Sequence, residues 1–432
     1  MKSLRFLSSQ SIKNSAIGSL LIKFLSAFFA LLGGVLMARA MSMENYGYYV
    51  LAFSTLTVLS VPVSLGLPNL IVRYISKYEV EKKYGEMKGL LVRAHQIVFI
   101  VFIIIVAIAL LTYNVWWSRY NIELIRSMWV GFIFLLFLAL GSIRAAALRG
   151  LKFVILGQLP DTFLRNLLFC IGIAVYFFGK ITLTPEVAMI IQVISAIISY
   201  IVGYIFLYKK LLSKLKGVSA NYHNRLWLKE AIPFSINGGI QIVKSKLITY
   251  VLAGFGSVEA VAIYDIALRG ASLVSFGLDA LNTAIAPYIS SAFEQNNKKQ
   301  LQRIVTKSSR IIFLGAVPIT LIFILGGKSL LGFIFSKNYA IAYVPLVIIC
   351  LGQLVSSICG SVGLVLSMTG NQGYFTRNNV YITLLNVLIC IPFVIWWGVI
   401  GASIVYGLLL VIQNLVLYVY VKEKLNINTT VF

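Results

Sequence analysis

Apolar stretches of about 20 residues, each long enough to cross a hydrocarbon core of roughly 30 Å, recur from one end of this sequence to the other. No water in a bilayer core can satisfy backbone N–H and C=O groups, so such stretches must close their hydrogen bonds internally, as helices or a closed barrel. Runs this long and this uniformly apolar read as helices, because barrel strands are shorter and alternate. Only 12% of the 432 residues are charged, against about a quarter in a soluble domain. The expected fold is all-α and integral to the membrane. Twelve spans are expected, at 16–38, 47–72, 90–112, 128–148, 153–179, 185–208, 228–254, 260–291, 304–326, 341–367, 378–398 and 400–421. The eighth is too long for one straight crossing and must tilt or run past the bilayer. The first contains Lys23 and exceeds the h-region of a signal peptide, so it reads as a permanent span.

The chain carries a formal charge of +24, which raises nucleic acid as a partner until the charges are placed. About two thirds of the Lys and Arg residues fall in the segments that share a side with the N-terminus, including Lys2, Arg5 and Lys13, the group Arg73 to Lys88, and Arg144 and Arg149. The same side receives Lys209 to Lys229 and Lys298 to Arg310, while the opposite side holds few, among them Arg119 and Lys180. This bias is the positive-inside pattern, so both termini are expected in the cytoplasm and nucleic acid is not an expected partner. Trp116, Trp117, Trp129, Trp227, Trp396 and Trp397 sit at span ends, where amphipathic rings favour the interface.

Two pairs of short segments suggest a duplication. Arg73-Tyr-Ile-Ser76 resembles Pro287-Tyr-Ile-Ser290, and Asn166-Leu-Leu-Phe-Cys-Ile171 resembles Asn386-Val-Leu-Ile-Cys-Ile391, at offsets near half the chain. A six-span unit has an even number of crossings, so its copies enter from the same side. The expected arrangement is two six-helix lobes related by a pseudo-two-fold along the membrane normal, with a substrate path between them. The N-terminal lobe is expected at 1–208, a basic cytoplasmic linker at 209–229 lying along the anionic inner surface, and the C-terminal lobe at 230–432.

Ionisable residues within spans are expensive and mark sites by default. Eight stand out: Lys23, Asp161, Arg165, Lys244, Lys246, Asp265, Arg269 and Asp279. Asp161 with Arg165, and Asp265 with Arg269, are spaced i,i+4, so each pair reads equally as structural neutralisation or as part of a path. At 100° per residue Asn237, Gln241, Lys244 and Ser245 form one polar stripe, and Lys246 points roughly 200° away toward the depth of Asp265 and Arg269. Lys244 has no acid in its own span, and Lys23 is the lone base of the first; both are expected to face a hydrated cavity. Bases outnumber acids in this set, which suits an anionic cargo. Prolines at 62, 160, 233, 318, 345 and 392 permit kinks. Cys170, Cys350, Cys359 and Cys390 lack metal-ligand spacing and read as small buried hydrophobes. No phosphate-binding glycine loop, nucleophile triad or histidine cluster is present, so no enzyme activity and no cofactor are expected. H+ or Na+ is the candidate coupling cation, with Asp161, Asp265 and Asp279 as candidate acids for ion coupling or for pairing.

Residues 38–49, Ala-Arg-Ala-Met-Ser-Met-Glu-Asn-Tyr-Gly-Tyr-Tyr, followed by Ser64-Leu-Gly-Leu-Pro68 and Arg73, resemble the opening of the polysaccharide transporter family. That family belongs to the multidrug/oligosaccharidyl-lipid/polysaccharide (MOP) exporter superfamily. Gly254-Phe-Gly-Ser-Val-Glu-Ala-Val-Ala-Ile-Tyr264, Ala286-Pro287, Thr369-Gly370 and Gly398-Val-Ile-Gly-Ala402 extend the resemblance across 16–420. It implies an O-antigen-type (Wzx-type) flippase that carries undecaprenyl-diphosphate-linked oligosaccharide across the bacterial plasma membrane by alternating access. The basic residue of the family's seventh span falls at Lys246, while Ser245 stands where an acid often precedes it and Ala262 where the family has glycine. Lys23, Lys244, Lys246, Arg269 and Arg165 are the expected substrate contacts. Membrane lipids and candidate polysaccharide assembly proteins are the other expected partners of a monomeric chain. Competing readings are a lipid-linked peptidoglycan precursor flippase, which usually carries two further spans, and a cation antiporter, which would prefer an acidic cavity. A membrane-embedded polymerase is the competitor from another class, and it would need a longer outer loop than the roughly 15 residues near 113–127.

Overall fold

The computed structural model describes residues 9–114 and 121–431, with side chains described from Gly18 onward and that of Asn237 left aside. Lys2, Arg5, Trp116, Trp117 and Arg119, and the side chains of Lys13 and Asn237, lie outside the described residues. Among the described residues the secondary structure is helical, without a strand. Ten helical segments among them are long and apolar enough to cross a membrane. By backbone contacts the chain divides into two compact units, Met1–Val243 and Lys244–Phe432.

Unit 1 holds α1 (Ser9–Ala40), α2 (Met43–Ser64), α3 (Leu67–Glu81), α4 (Tyr84–Leu111), α5 (Ile122–Gly150), α6 (Val154–Gln158), α7 (Arg165–Phe178) and α8 (Pro185–Lys210). Polar caps start several of them: Ser42 accepts from the Asn45 amide at 3.2 Å and Asn121 from the Glu123 amide at 2.9 Å. The expected second span over 47–72 ends instead at Ser64. Leu65 and Gly66, at φ 45° and 68°, adopt left-handed backbone that no helix can continue through, and α3 starts afresh behind them. A Cβ on Gly66 would also strike the Ala231 carbonyl, so this turn accepts no larger side chain. Around α5 pack α2, α3, α4, α6 and α8, which makes it the buried axis of the unit.

Between α6 and α7 the chain forms a π-helical turn, Leu159–Leu164, which includes Pro160. Its i→i+5 hydrogen bonding leaves carbonyls that a regular helix would use. Ser26 on α1 donates to the Thr162 carbonyl at 2.8 Å. Beyond α8 a short 3-10 turn, Leu212–Leu215, leads into the connector, which is stitched to unit 1. The Asn221 amide donates to the Gly85 carbonyl at 3.0 Å, Lys88 Nζ to the Val218 carbonyl at 2.8 Å and Arg93 Nε to Asn224 Oδ1 at 2.8 Å. Trp227, expected at an interface, is buried and donates to the Tyr78 hydroxyl at 3.1 Å.

α9 (Asn224–Phe255) runs from unit 1 into unit 2, which continues with α10 (Val258–Glu294), α11 (Lys298–Ile334), α12 (Tyr343–Cys359), α13 (Val362–Met368) and α14 (Gln372–Leu425). At 37 residues, α10 spans about 55 Å, as the excess length of the eighth expected span requires. Gly360, at φ 71°, breaks the expected tenth span into α12 and α13. α14 is two legs rather than one rod. Gly398 holds φ 56° and ψ −131°, and a Cβ on Gly401 would collide with the Phe393 carbonyl, so the chain turns back on itself there. Ile289, Val305, Val362, Leu417 and Val421 form a shared core, over which the tail folds, with Ser309 Oγ donating to the Thr429 carbonyl at 2.7 Å. All four cysteines are buried and free, as their apolar settings suggest.

Candidate functional site

In unit 1, α5 carries Arg144 and Arg149 toward the π turn, where Asp161 and Arg165 sit. The side chain of Arg144 is 1% exposed; its guanidinium pairs with the Asp161 carboxylate and donates to the Ser199 carbonyl at 3.3 Å. This corrects two expectations. Asp161 is held by Arg144 rather than by Arg165 four residues on, because the π turn changes the register between them and α5 presents a nearer base. Arg144 is also not an inner-surface charge but an interior one. Room for it comes from Gly203 on α8, where a Cβ would occupy the guanidinium position. Arg165 instead lays its guanidinium over the Phe134 ring, 5.6 Å from the centroid.

Arg149, Gln158, Asp161, Thr162 and Arg165 line a cavity of about 220 Å³ walled by α5, α8 and the α6–α7 segment. The Nε atoms of Arg144, Arg149 and Arg165 are buried and lack hydrogen-bond partners among the described residues. Three guanidiniums around one carboxylate leave net positive charge in an apolar setting, an arrangement that binds anions.

Unit 2 builds its cationic site differently. Lys244 Nζ donates to Asn379 Oδ1 at 3.1 Å and to Gln413 Oε1 at 2.5 Å, and Gln413 Nε2 donates to the same Asn379 oxygen at 3.0 Å. Asn379 and Gln413 stand 34 positions apart. They would be about 50 Å apart on a straight helix and meet because α14 reverses. Among the described residues no carboxylate forms an ion pair with Lys244. Buried donors remain on both Asn378 and Asn379, whose Nδ2 atoms have no partner among the described residues. Across the helix, Lys246 lies within electrostatic range of Asp265 and Arg269, which form the expected i,i+4 ion pair at 2.6 Å.

The structure thus places the sequence-derived candidates in three groups: Asp161 with Arg165, Lys246 with Asp265 and Arg269, and Lys244 with amides of α14. Lys23 is exposed on α1 and Asp279 exposed on α10, and neither lines the unit 1 cavity. Asp279 does act electrostatically on Tyr406, whose hydroxyl accepts from Gln353 at 3.1 Å. Sequence reasoning missed Arg144, Arg149, Asn379 and Gln413. The two arginines were hidden by their nearness to a span end, and the two amides by the reversal that brings them together.

The described residues form apolar helices of membrane-spanning length, with a cationic cluster inside each of the two units. The chain belongs to the polysaccharide biosynthesis protein family, whose profile matches residues 12–293. It is 21% identical over 148 residues to the probable low-salt glycan biosynthesis flippase Agl15 of Haloferax volcanii, a match spanning 34% of this chain and 31% of that relative. The whole relative is therefore not represented. Among solved structures, a multidrug resistance MATE family transporter of the MOP superfamily, inward-facing, superimposes with TM-score 0.79 at 12% identity, covering 95% of this chain and 98% of that one. The lipid II flippase MurJ in an inward closed conformation does so with TM-score 0.74 at 15% identity, covering 94% and 87%. These likenesses show the fold.

Proposed function

We propose that this protein is a flippase for undecaprenyl-diphosphate-linked oligosaccharide, the repeat unit of an O-antigen, capsule or exopolysaccharide. It moves that unit from the inner to the outer leaflet of a bacterial plasma membrane by alternating access, with both termini in the cytoplasm. Twelve spans suit this role. The ten apolar segments, the reversal within α14 and the 32 residues of α9, enough for one more crossing, are consistent with that count.

The observation that carries the reading is Lys244, a cation inside an apolar helix held by neutral amide oxygens. Its charge is solvated but not neutralised. A diphosphate brings about two negative charges into the same low-dielectric region, and pairing with such a base offsets its desolvation. Lys23, Lys246, Arg269 and Arg165 would assist along the head-group path, while the polyprenyl tail stays in lipid. The acids Asp161, Asp265 and Asp279 are the proposed links to a proton or sodium gradient. The same physics would serve a lipid-linked peptidoglycan precursor, and the substrate arm of the test separates the two. In a flippase-null strain, Lys23→Ala and Lys244→Ala should lose surface polysaccharide at normal protein level. Full polysaccharide from both variants would refute the direct role, and rescue of a precursor-flippase mutant by the parent would reassign the cargo.

A further inference from the structure

α4 presents one continuous stripe, Lys88, Leu91, Val92, His95, Gln96, Phe99 and Ile100, at helical spacing. None of the residues proposed above for transport lies on it. Two cavities open along this stripe and share Leu91, Val92 and Leu212. The first, about 220 Å³, is completed by Lys88, Leu215 and Lys216. The second, about 800 Å³, runs between α4 and the α8 tyrosines Tyr200 and Tyr204, and reaches Ile100. Among the described residues neither is lined by an Asp or Glu.

The dimensions are those of one leaflet. Leu91 to Ile100 rises about 13.5 Å, close to half of a roughly 30 Å hydrocarbon core. The apolar end is open, with Phe99 at 44% and Ile100 at 56% exposure. The basic end lies under the connector, whose Leu212, Leu215 and Lys216 roof it. An ammonium has three donors. Lys88 spends one on the Val218 carbonyl and Lys216 one on the Tyr208 hydroxyl, so each keeps donors for a phosphodiester.

We infer that this double cavity is a binding site for an anionic phospholipid of the inner leaflet. Its phosphate lies between Lys88 and Lys216, and one acyl chain lies along the α4 stripe toward Ile100. Bound there, the lipid braces the 3-10 turn and the connector against α4. This site does not depend on what the protein transports, so the test reads lipid retention and not glycan export.

The full-length protein, purified in a mild detergent, is titrated with phosphatidylglycerol or phosphatidylcholine and examined by native mass spectrometry. Phosphatidylglycerol should be retained in preference to phosphatidylcholine. Lys88→Gln with Lys216→Gln should weaken retention roughly tenfold or more. Ile100→Trp, which fills the open apolar end without changing charge, should weaken it as well, and decides the matter if the double variant does not fold. Lys298→Gln with Lys299→Gln, equal in charge but on unit 2, should leave it unchanged. Equal retention of both lipids, parental retention in the Lys88/Lys216 and Ile100 variants, or an equal loss in the unit 2 control would overturn the assignment. So would displacement of phosphatidylglycerol by an equimolar polyprenyl phosphate, which would give the groove to the cargo's tail.

Discussion

The two units bury cationic charge in opposite ways. Unit 1 surrounds a carboxylate with arginines, and the Arg144–Asp161 pair is locked into the helix packing, under a glycine that leaves it just enough room. Unit 2 holds Lys244 on two amides and keeps its acid, Asp265, for a neighbour on its own helix. Amide oxygens solvate an ammonium without cancelling its charge, and they can be exchanged for an anion's oxygens at small cost. A buried ion pair cannot be opened so lightly. The Arg144–Asp161 pair of unit 1 therefore holds a shape, whereas the amides around Lys244 leave its charge open to an anion. The asparagines of the two similar segments differ in the same sense: Asn166 donates to Ser26 Oγ at 2.9 Å, whereas the buried Asn386 side-chain oxygen has no partner among the described residues.

This contrast can be broken by experiment. Arg144→Ala removes the base that donates to Asp161, although Arg149 and Arg165 remain near the carboxylate, and should destabilise the protein by about 1–3 kcal/mol. Arg269→Ala, which breaks a same-helix pair, should cost about 0.5–1 kcal/mol. Thermal inactivation in detergent reads both, and equal losses would erase the distinction. Lys244→Gln keeps donors for Asn379 and Gln413 while removing the charge, so stability should hold while export falls roughly 10- to 100-fold. Lys244→Arg should retain most export, and a Gln variant that exports normally would deny the charge its role. Gly203→Ala pushes a methyl into the Arg144 guanidinium and should destabilise by about 1–3 kcal/mol, where Gly254→Ala, with open space around it, should be near neutral.

The smallest effect lies outside the membrane spans. Burial and the hydrogen bond to Glu230 push the Tyr74 hydroxyl up from 10.0 to about 12. The folded protein thus keeps this proton more tightly than the unfolded chain. The associated stability is complete below pH 10 and is lost as pH rises through about 12. Ultraviolet titration of phenolate should show one fewer late-ionising tyrosine in Tyr74→Phe than in the parent.

Much of the fold was legible because a span is a bulk property: length and apolar content survive local error. What the pattern could not resolve was where backbone leaves the helix inside such a run. Leu65 and Gly66, and likewise Gly360, each break an apolar stretch whose hydropathy does not change, whereas the break at Gly398 falls where the eleventh and twelfth expected spans divide. At the site, Asp265–Arg269 was readable since both partners share one helix. Asp161 does have Arg165 within electrostatic range, but the base that donates to it, Arg144, arrives from another helix and was not readable. Arg144 also stands near a span end, where a basic residue ordinarily reaches for the surface. Lys244's amide partners were out of reach for the same reason: their meeting depends on tertiary folding rather than on spacing.

The chain reverses around Gly398, and the legs of α14 approach so closely beside it that a Cβ on Gly401 would meet the Phe393 carbonyl. An epitope or protease site spliced between Trp397 and Val399 would wedge the legs apart, and the strain would reach the Asn379–Gln413 contact that seats Lys244. Reporter insertions at this hairpin would thus silence the protein even though they touch no charged residue.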